Sequence, residues 1–593
     1  MQRRDLLAAG VATPLGAAGS SAFAAPRKVL RAAFITAESG FDPPQVSDNP
    51  SLIVVDLIFE APLSYDPLAR PAKLVPQTAA ALPEVSADFK HFVFTLRPGI
   101  FFADDPVFKG RPRELIAADY VYAIKRFYDP AIKTERLYVF ENAKLLGLSE
   151  LRKQALATRT PFPYDTEVAG LRALDRYRFE VRLAEPAPRF AHVLAGTGSA
   201  GAVAREVVEA YAADLMAHPV GTGPYRLAEW RRSSRVVLER NPRFREKRFN
   251  SVAPEGDEQA AATALALAGR RLPIVDRIEV SVIEESQPRW LAFLGGEIDT
   301  NNLPPAFAPR AMPGGMLAPY LAKRGVRARQ TLGASVSHTF FNFDDPQVGG
   351  YTPERVALRR AIALGYDNAG DIRLIYNGQA LPAQSMIAPH NYGFDPTLKS
   401  EMSEHSPARA NALLDLYGYA RGANGLRRHP DGSPLLLRKA SASDQRSRRL
   451  NELWQKRMAA IGLRMVFEVG PFAELIKRSL AGTLQMWGFN WTNGPDGEFF
   501  LGLAYGPNAD QSNDARFRLP AFDALYQRQT VMADGPERLA VMREATKLML
   551  AYMPYLAHVH PIDVDLSHAR VRHLIRHPFK SSWWDFTDLA AAG

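Results

Sequence analysis

Short strand-like segments alternate with amphipathic helix-like segments along almost the whole chain, and this alternation constrains the fold more than any other feature. Lys28–Thr36 has the apolar character of a strand, and Ala117–Pro130 is amphipathic at helical spacing and closes before a proline. Arg448–Val469 changes from a helical to a strand pattern at Gly462. Interleaved periodicities of this kind are typical of α/β proteins and argue against a helical bundle. We therefore predict an α/β fold.

The length of the chain, 593 residues, indicates more than one folding unit. A single hydrophobic core rarely grows beyond about 250–300 residues, so we expect at least two lobes. Hydrophobic residues make up 47% of the chain and charged residues 23%, which is ordinary for a soluble globular protein. No stretch beyond the N-terminal region reaches about 18 consecutive apolar residues, the length that favours a membrane span.

Residues 1–24 have the pattern of a cleavable signal peptide. Arg3 and Arg4 form a charged start, an apolar run follows, and Ala22-Phe23-Ala24 gives a small-x-small cleavage site. The alternative, a short buried helix, is a poorer match to this order of features. The paired arginines indicate the twin-arginine route, so we expect a periplasmic protein.

The absence of cysteine from the chain excludes disulfides, cysteine nucleophiles and thiolate metal sites. It also excludes lipid attachment to an N-terminal cysteine. We therefore expect a protein that diffuses freely in the periplasm and is not a lipoprotein.

The formal net charge is +10, but its pattern does not favour a nucleic-acid partner. The arginines are interspersed with acids, as in Arg176–Phe190, which is typical of a solvated basic surface. We expect no nucleic acid to bind.

Signatures of catalysis or cofactor binding are weak. The sequence has no H-E-x-x-H, no Walker A loop and no G-x-S-x-G element. Gly196–Gly201 fits G-x-G-x-x-G but follows a helix-like segment, so an ordinary glycine-rich loop is the better interpretation. His558 and His560 lack further metal ligands nearby in sequence. We predict a protein that is not an enzyme and has no cofactor and no metal site.

A series of short motifs occurs in a fixed order through the chain: Pro219–Tyr225, Arg240–Pro242, Gly296–Asp299, Phe341–Asn342 and Gly378–Pro382. In this order they resemble the family 5 extracellular solute-binding proteins, the oligopeptide- and dipeptide-binding components of ABC importers. The resemblance covers nearly all of the chain after the signal. It implies a receptor that captures a peptide or peptide-like solute between two lobes and delivers it to the permease subunits of an ABC transporter.

The resemblance also implies a type II periplasmic binding protein fold, with two lobes, a cleft, an extra inserted domain and a monomeric state. Lobe I is then discontinuous, because the family builds it from both ends of the chain and a middle segment. The expected boundaries are residues 26–66, 196–300 and 555–593 for lobe I, 67–195 for the inserted domain and 301–554 for lobe II.

Two stretches are predicted to line the cleft. In the family, an aspartate three residues after a tryptophan holds the amino terminus of the peptide. Trp491 takes the place of that tryptophan, but Gly494 stands at the aspartate position, and the nearest acid is Asp496. The predicted ligand contacts are Trp487, Asn490, Trp491, Asn493 and Asp496 on lobe II, with Ser47, Asp48 and Asn49 on lobe I.

Structural alternatives exist for each stretch. Asp496 also suits the turn Gly494–Gly497, either tryptophan also suits the core, and residues 47–49 also suit a helix N-cap. The displaced acid leaves open a non-peptide ligand such as a metal chelate, haem, an opine, a sugar or a peptide antibiotic. A secreted hydrolase or a scaffold without a ligand is the alternative from another class of function.

Overall fold

The computed structural model describes residues 27–509 and 511–590. The predicted signal peptide lies outside these residues. Strands and helices alternate along the described chain, which confirms the predicted α/β class. Three sheets organise it, and we call their surroundings lobe I, the inserted domain and lobe II.

Lobe I is built on a four-stranded sheet in which the first strand lies at one edge. The strands, in spatial order, are Val29–Phe34, Arg277–Val282, Arg235–Arg240 and Tyr225–Arg231. The first pair is parallel and the others are antiparallel. The helix Asn49–Ile58 packs its apolar side on this sheet. Its N-cap is Asp48, whose carboxylate accepts a hydrogen bond from the Ser51 amide at 2.8 Å.

The inserted domain has its own sheet and its own hydrophobic core. Its strands, in spatial order, are Glu84–Val85, His91–Thr95, Arg178–Arg182 and Leu171–Ala173. The helix Ala117–Tyr128 covers this sheet, and the stacked rings of Phe94 and Phe179, 4.9 Å apart, lie in the core. This core also includes Leu63, Ala202 and Val220, so the unit packs directly on lobe I.

Lobe II is built on a larger sheet with the long strand Tyr555–Ser567 inside it. This strand pairs with Arg327–Leu332 and Ser335–Phe341 on one side, and with Thr300–Asn302 and Ala380–Pro382 on the other. The remaining strands of the sheet are Leu436–Ser441, Arg464–Val469, Met486–Trp487 and Asn490–Thr492. The predicted boundary between residues 554 and 555 therefore falls at the edge of a strand that pairs with lobe II, whereas residues 571–590 pack on lobe I.

The helices of at least seven residues cover these sheets on both sides. Beyond the two already given, they are Leu137–Ala143, Leu148–Thr158, Glu258–Leu267, Ser286–Gly295, Pro353–Gly365, Asn368–Leu374, Pro407–Leu416, Gln445–Ala460, Phe472–Leu480, Pro520–Thr530 and Pro536–Tyr552. Short two-stranded pairs join Leu63–Tyr65 with Leu74–Pro76, Lys247–Arg248 with Arg271–Leu272, and Val571–His573 with Asp588–Leu589. Within residues 27–509 and 511–590, no helix has the length and apolar character to cross a bilayer.

A buried carboxylate fixes the segment in which the chain passes from lobe I to lobe II. Asp299, immediately before the strand Thr300–Asn302, is 1% exposed. It accepts a hydrogen bond from the Arg31 amide at 2.7 Å, and its own amide donates to the Arg31 carbonyl at 2.8 Å. Arg570 lies 3.3 Å from the same carboxylate. These contacts tie the crossing strand to the first strand of lobe I.

Candidate functional site

The strand Asn490–Thr492 presents an open edge of the lobe II sheet. It pairs with Ser335–Ser337 in antiparallel register, and its other side pairs with no strand of the described chain. The side chains of Asn490 and Thr492 are exposed. Trp491 between them is half-buried and packs edge-on against Phe489 and Phe499, with ring centroids 5.1 and 5.3 Å away.

The backbone of this strand has unused hydrogen-bonding groups. The His338 amide donates to the Phe489 carbonyl at 3.1 Å, which makes 338 and 489 a hydrogen-bonded pair. Hydrogen-bonded pairs alternate with non-bonded pairs in an antiparallel ladder. The backbone N–H and C=O of Trp491 therefore face its partner Val336, whereas those of Asn490 and Thr492 point away from the sheet. Asn490 and Thr492 therefore offer donors and acceptors to an extended chain laid beside them.

Trp487 and Asn493 occupy different environments from this edge. Trp487 is 2% exposed and lies in the core of lobe II, between Phe472 and Phe489 at 5.4 and 4.8 Å. Asn493 is exposed, and its side-chain oxygen accepts from the Gly494 amide at 2.6 Å. Of the two tryptophans, only Trp491 belongs to the strand that forms the open edge.

Asp496 is held by an ion pair inside lobe II. Its two carboxylate oxygens accept from the guanidinium of Arg538, each at 2.7 Å. One oxygen also accepts from the Glu498 amide at 2.7 Å, at the start of the short helix Glu498–Gly502. Arg538 is fully buried and also binds Asp534 at 2.7 Å. A ligand contact by Asp496 stays a prediction, and any such ligand shares the carboxylate with Arg538.

Arg189 of the inserted domain joins this cluster across the groove between the lobes. Its Nε and Nη2 donate to one oxygen of Glu498 at 2.9 and 2.6 Å, and its Nη1 donates to the Met532 carbonyl at 2.9 Å. It also donates to the Thr530 carbonyl. Burial raises the pKa of Glu498, and the positive charges of Arg189 and Arg538 oppose that rise.

Replacing Arg189 with alanine should favour the open arrangement of the lobes. The change removes several charge-assisted hydrogen bonds, together worth about 1–3 kcal/mol across the groove. We expect a larger radius of gyration for the ligand-free variant in small-angle X-ray scattering. Arg178→Ala is the matched control, because within the described part of the chain Arg178 forms an ion pair with the exposed Asp175 of its own domain and with no other residue. Identical scattering of both variants and the wild type would rule out a role for Arg189 in closure.

On lobe I, the predicted contacts divide between a helix cap and a cavity. Asp48 is occupied as the N-cap described above and also accepts from the Ser39 hydroxyl at 2.5 Å. Ser47 is exposed. Asn49 lines a cavity of about 270 Å³ between the first strand of lobe I and the crossing strands. Among the described contacts, none joins residues 47–49 directly to 487–496.

This hinge cavity contains polar groups that the sequence did not single out. Arg576 forms a double hydrogen bond with Asp565, at 2.6 Å each, and stacks on Trp583 at 4.3 Å. The amide nitrogen and oxygen of Asn301 and the indole nitrogen of Trp583 are buried without a hydrogen-bond partner in the described structure. Burial raises the pKa of Asp563, and Arg576 opposes that rise. In the sequence, only the adjacent Trp583 and Trp584, which both line this cavity, could have indicated it.

The open edge and the hinge cavity lie at the same end of the lobe II sheet. Thr492 pairs with Ser335, and its hydroxyl donates to the Ala334 carbonyl at 3.1 Å. The strand Arg327–Leu332 ends three residues before Ser335, and its Thr331 pairs with Asp563 of the cavity. The sheet therefore brings a backbone edge and a polar cavity together at the groove.

The histidines and the glycine-rich segment have structural roles. His558 is buried between the Thr339 hydroxyl and the Asn368 side chain, at 2.9 and 3.0 Å, and burial lowers its pKa. His560 contacts the Ser335 carbonyl at 3.0 Å. Gly196–Gly201 contains the short helix Thr197–Ala200, packed against Asn49–Ile58. No group of three or more candidate metal ligands occurs within residues 27–509 and 511–590.

Comparisons with known proteins agree with this architecture. The family model described as bacterial extracellular solute-binding proteins, family 5, matches residues 73–512. The chain is 25% identical to di/tripeptide-binding protein 2 of Pseudomonas aeruginosa over 94% of each chain. It is 24% identical to the periplasmic oligopeptide-binding protein OppA of Salmonella typhimurium, over 92% of this chain and 90% of that protein. The solved structure of DppA from Helicobacter pylori with the peptide STSA superposes with a TM-score of 0.71 and 19% identity, covering 95% and 98% of the two chains.

Proposed function

This chain belongs to the bacterial extracellular solute-binding proteins of family 5, and from that premise we propose that it captures a short peptide between its two lobes and delivers it to an ABC transporter. The observation that best supports a peptide as the ligand is the open edge of the sheet at Asn490–Thr492. An extended peptide pairs its backbone with such an edge whatever its side chains are, which suits a receptor for many sequences.

The names of the relatives support a small peptide. Similar proteins are described as binding di- and tripeptides or oligopeptides. The hinge cavity, about 270 Å³, is just below the usual volume of small-molecule sites, roughly 300–1,000 Å³, so it suits only part of a ligand. We place the peptide backbone beside Asn490–Thr492 and a side chain or terminus of the ligand in the hinge cavity, near Asn49.

The cellular setting of the proposal follows from the relatives. OppA of Salmonella typhimurium is named as periplasmic, and we propose the same compartment for this protein. The same proposal includes export by a twin-arginine signal and a monomeric state. It also includes docking on the permease subunits at the inner membrane and the absence of catalysis.

Peptide binding should raise the melting temperature of the purified protein. A ligand that binds only the native state stabilises it by about 2.7 kcal/mol when present at 100 times its Kd. Thermal shift with pools of di-, tri- and tetrapeptides is the first measurement, and native mass spectrometry of the freshly purified protein identifies any ligand retained. N-acetylated and amidated copies of each active pool show whether the termini are recognised. The absence of a shift and of bound mass with every pool would overturn the peptide as ligand.

A further inference from the structure

A second cavity, of about 710 Å³, lies where lobe I meets the inserted domain, apart from the groove between the lobes. Its walls come from the strand pair Leu63–Tyr65 and Leu74–Pro76, from the strand pair Lys247–Arg248 and Arg271–Leu272, and from Lys580 and Phe586. All of the described residues that line it belong to lobe I or the inserted domain. Its volume is in the range of small-molecule sites and does not depend on closure of the lobes.

The lining of this cavity carries more cations than acids. The cations are Arg97, Arg245, Lys247, Arg248 and Lys580, and the acids are Asp66 and Glu246. Both acids are occupied: Asp66 accepts from the amides of Leu68 and Ala69 at 2.9 and 3.0 Å, and Glu246 binds Arg248 at 2.5 Å. Arg245 is neutralised by the buried Glu60, at 2.6 and 2.9 Å.

Three cations of the lining form no direct ion pair, and the buried Asp585 acts on Lys247 and Lys580 only through space. Among the described residues, no carboxylate lies within 4 Å of Arg97, Lys247 or Lys580. Arg97 donates to the Ala79 carbonyl at 3.0 Å, and the Lys580 ammonium lies 5.1 Å from the centre of the Phe586 ring. Arg97 is exposed, whereas Lys247 and Lys580 are half-buried. A partly desolvated ammonium group without a direct partner costs free energy. Burial lowers the pKa of Lys247 to about 8, because desolvation disfavours the charged ammonium form.

A neutral group in the lining is also unpartnered. The side-chain oxygen of Gln77 is buried and accepts no hydrogen bond in the described structure. An unsatisfied buried acceptor calls for a donor from water or from a ligand. A solute that satisfied the whole cavity would therefore carry negative charges for the three cations and a hydroxyl or amide donor for Gln77.

We propose that this cavity is a second binding site, which takes a small hydroxylated solute bearing two or more carboxylate or phosphate groups. Lys247 and Lys580 bind the anionic groups from the two facing walls, Arg97 adds a third positive charge, and Gln77 accepts from the hydroxyl. The site is independent of peptide capture, because its lining shares no residue with the open edge or the hinge cavity.

Isothermal titration of the full-length mature protein with citrate and with fructose 1,6-bisphosphate tests this proposal. The titrations are done in metal-free buffer at one ionic strength, since exposed charges respond to salt. We expect saturable binding of at least one anion, and the stronger one identifies carboxylate or phosphate as the natural group. Tricarballylate, which is citrate without the hydroxyl, should bind several-fold more weakly than citrate if citrate is the stronger ligand. Equal binding of the two would remove Gln77 from the site.

Removing the two ammonium groups supplies the decisive comparison. Lys247→Met/Lys580→Met should lower the affinity at least tenfold, while Lys323→Met/Lys399→Met, at exposed positions of lobe II, should leave it unchanged. Lys580→Met alone is the milder variant if the double variant folds poorly, and it should lose at least threefold. Peptide-induced thermal shifts should be the same in all variants. No saturable binding by either anion, or wild-type affinity in the cavity variants, would overturn the proposal.

Discussion

Arg538→Ala should lower the free energy of unfolding by about 2–4 kcal/mol, because it removes the fully buried partner of Asp496 and leaves the half-buried carboxylates with Arg189 as their remaining countercharge. Arg538 is fully buried and binds Asp496, Asp534 and the side chain of Gln529. Its guanidinium also lies 3.4 Å from Glu498. Urea unfolding followed by tryptophan fluorescence measures the loss as a shift of the transition midpoint.

The matched control for this prediction is Arg543→Ala on the same helix. Arg543 is 63% exposed on its side chain and lies 3.9 Å from Asp395, so its removal should cost less than about 1 kcal/mol. Adding Asp496→Asn to the Arg538→Ala variant should restore part of the loss, since the amide needs no countercharge. A similar small effect for Arg538 and Arg543 would contradict a stabilising role for the cluster.

Thr492→Pro should weaken peptide binding about tenfold or more with little loss of stability. Proline removes the N–H that the open edge offers to a peptide, and its ring occupies the space where a paired strand would lie. A hydrogen bond of this kind contributes about 0.5–1.5 kcal/mol, and the steric clash adds to the loss. Edge strands tolerate proline where the N–H faces solvent, so the sheet should still form.

Thr492→Ala separates the backbone effect from the side chain. Both substitutions remove the hydroxyl contact with the Ala334 carbonyl, but alanine keeps the N–H. We expect near-wild-type peptide affinity for alanine, measured by the same titration on both variants. Equal affinities for proline and alanine would show that the ligand does not pair with this edge.

The fold was accessible from the sequence because its evidence is spread along the chain. Segments such as Lys28–Thr36 and Ala117–Pro130 each have a clear period, and the structure has Val29–Phe34 and Ala117–Tyr128 there. A series of weak motifs in a fixed order identifies a family even when each motif alone does not. The family model that matches residues 73–512 confirms that identification.

The site was less accessible because its contacts join distant parts of the chain. Sequence proximity placed Asp496 near Trp491, but the partner of Asp496 is Arg538, on a helix that begins at Pro536. Trp487 and Trp491 have similar local sequences, and only the sheet register distinguishes the core position from the one beside the open edge. Arg189 lies 309 residues before Glu498, and nothing local predicts that pairing.

The position of Tyr555–Ser567 has a consequence for the order in which the protein folds. Strands on both sides of it, such as Ser335–Phe341 and Thr300–Asn302, are synthesised more than 200 residues earlier and cannot complete their sheet until it arrives. Contacts of such long sequence separation slow folding and prolong the exposure of apolar surface. A nascent chain that has emerged only as far as residue 554 cannot yet join the two parts of its largest sheet. We therefore expect it to expose apolar surface that a chaperone can bind.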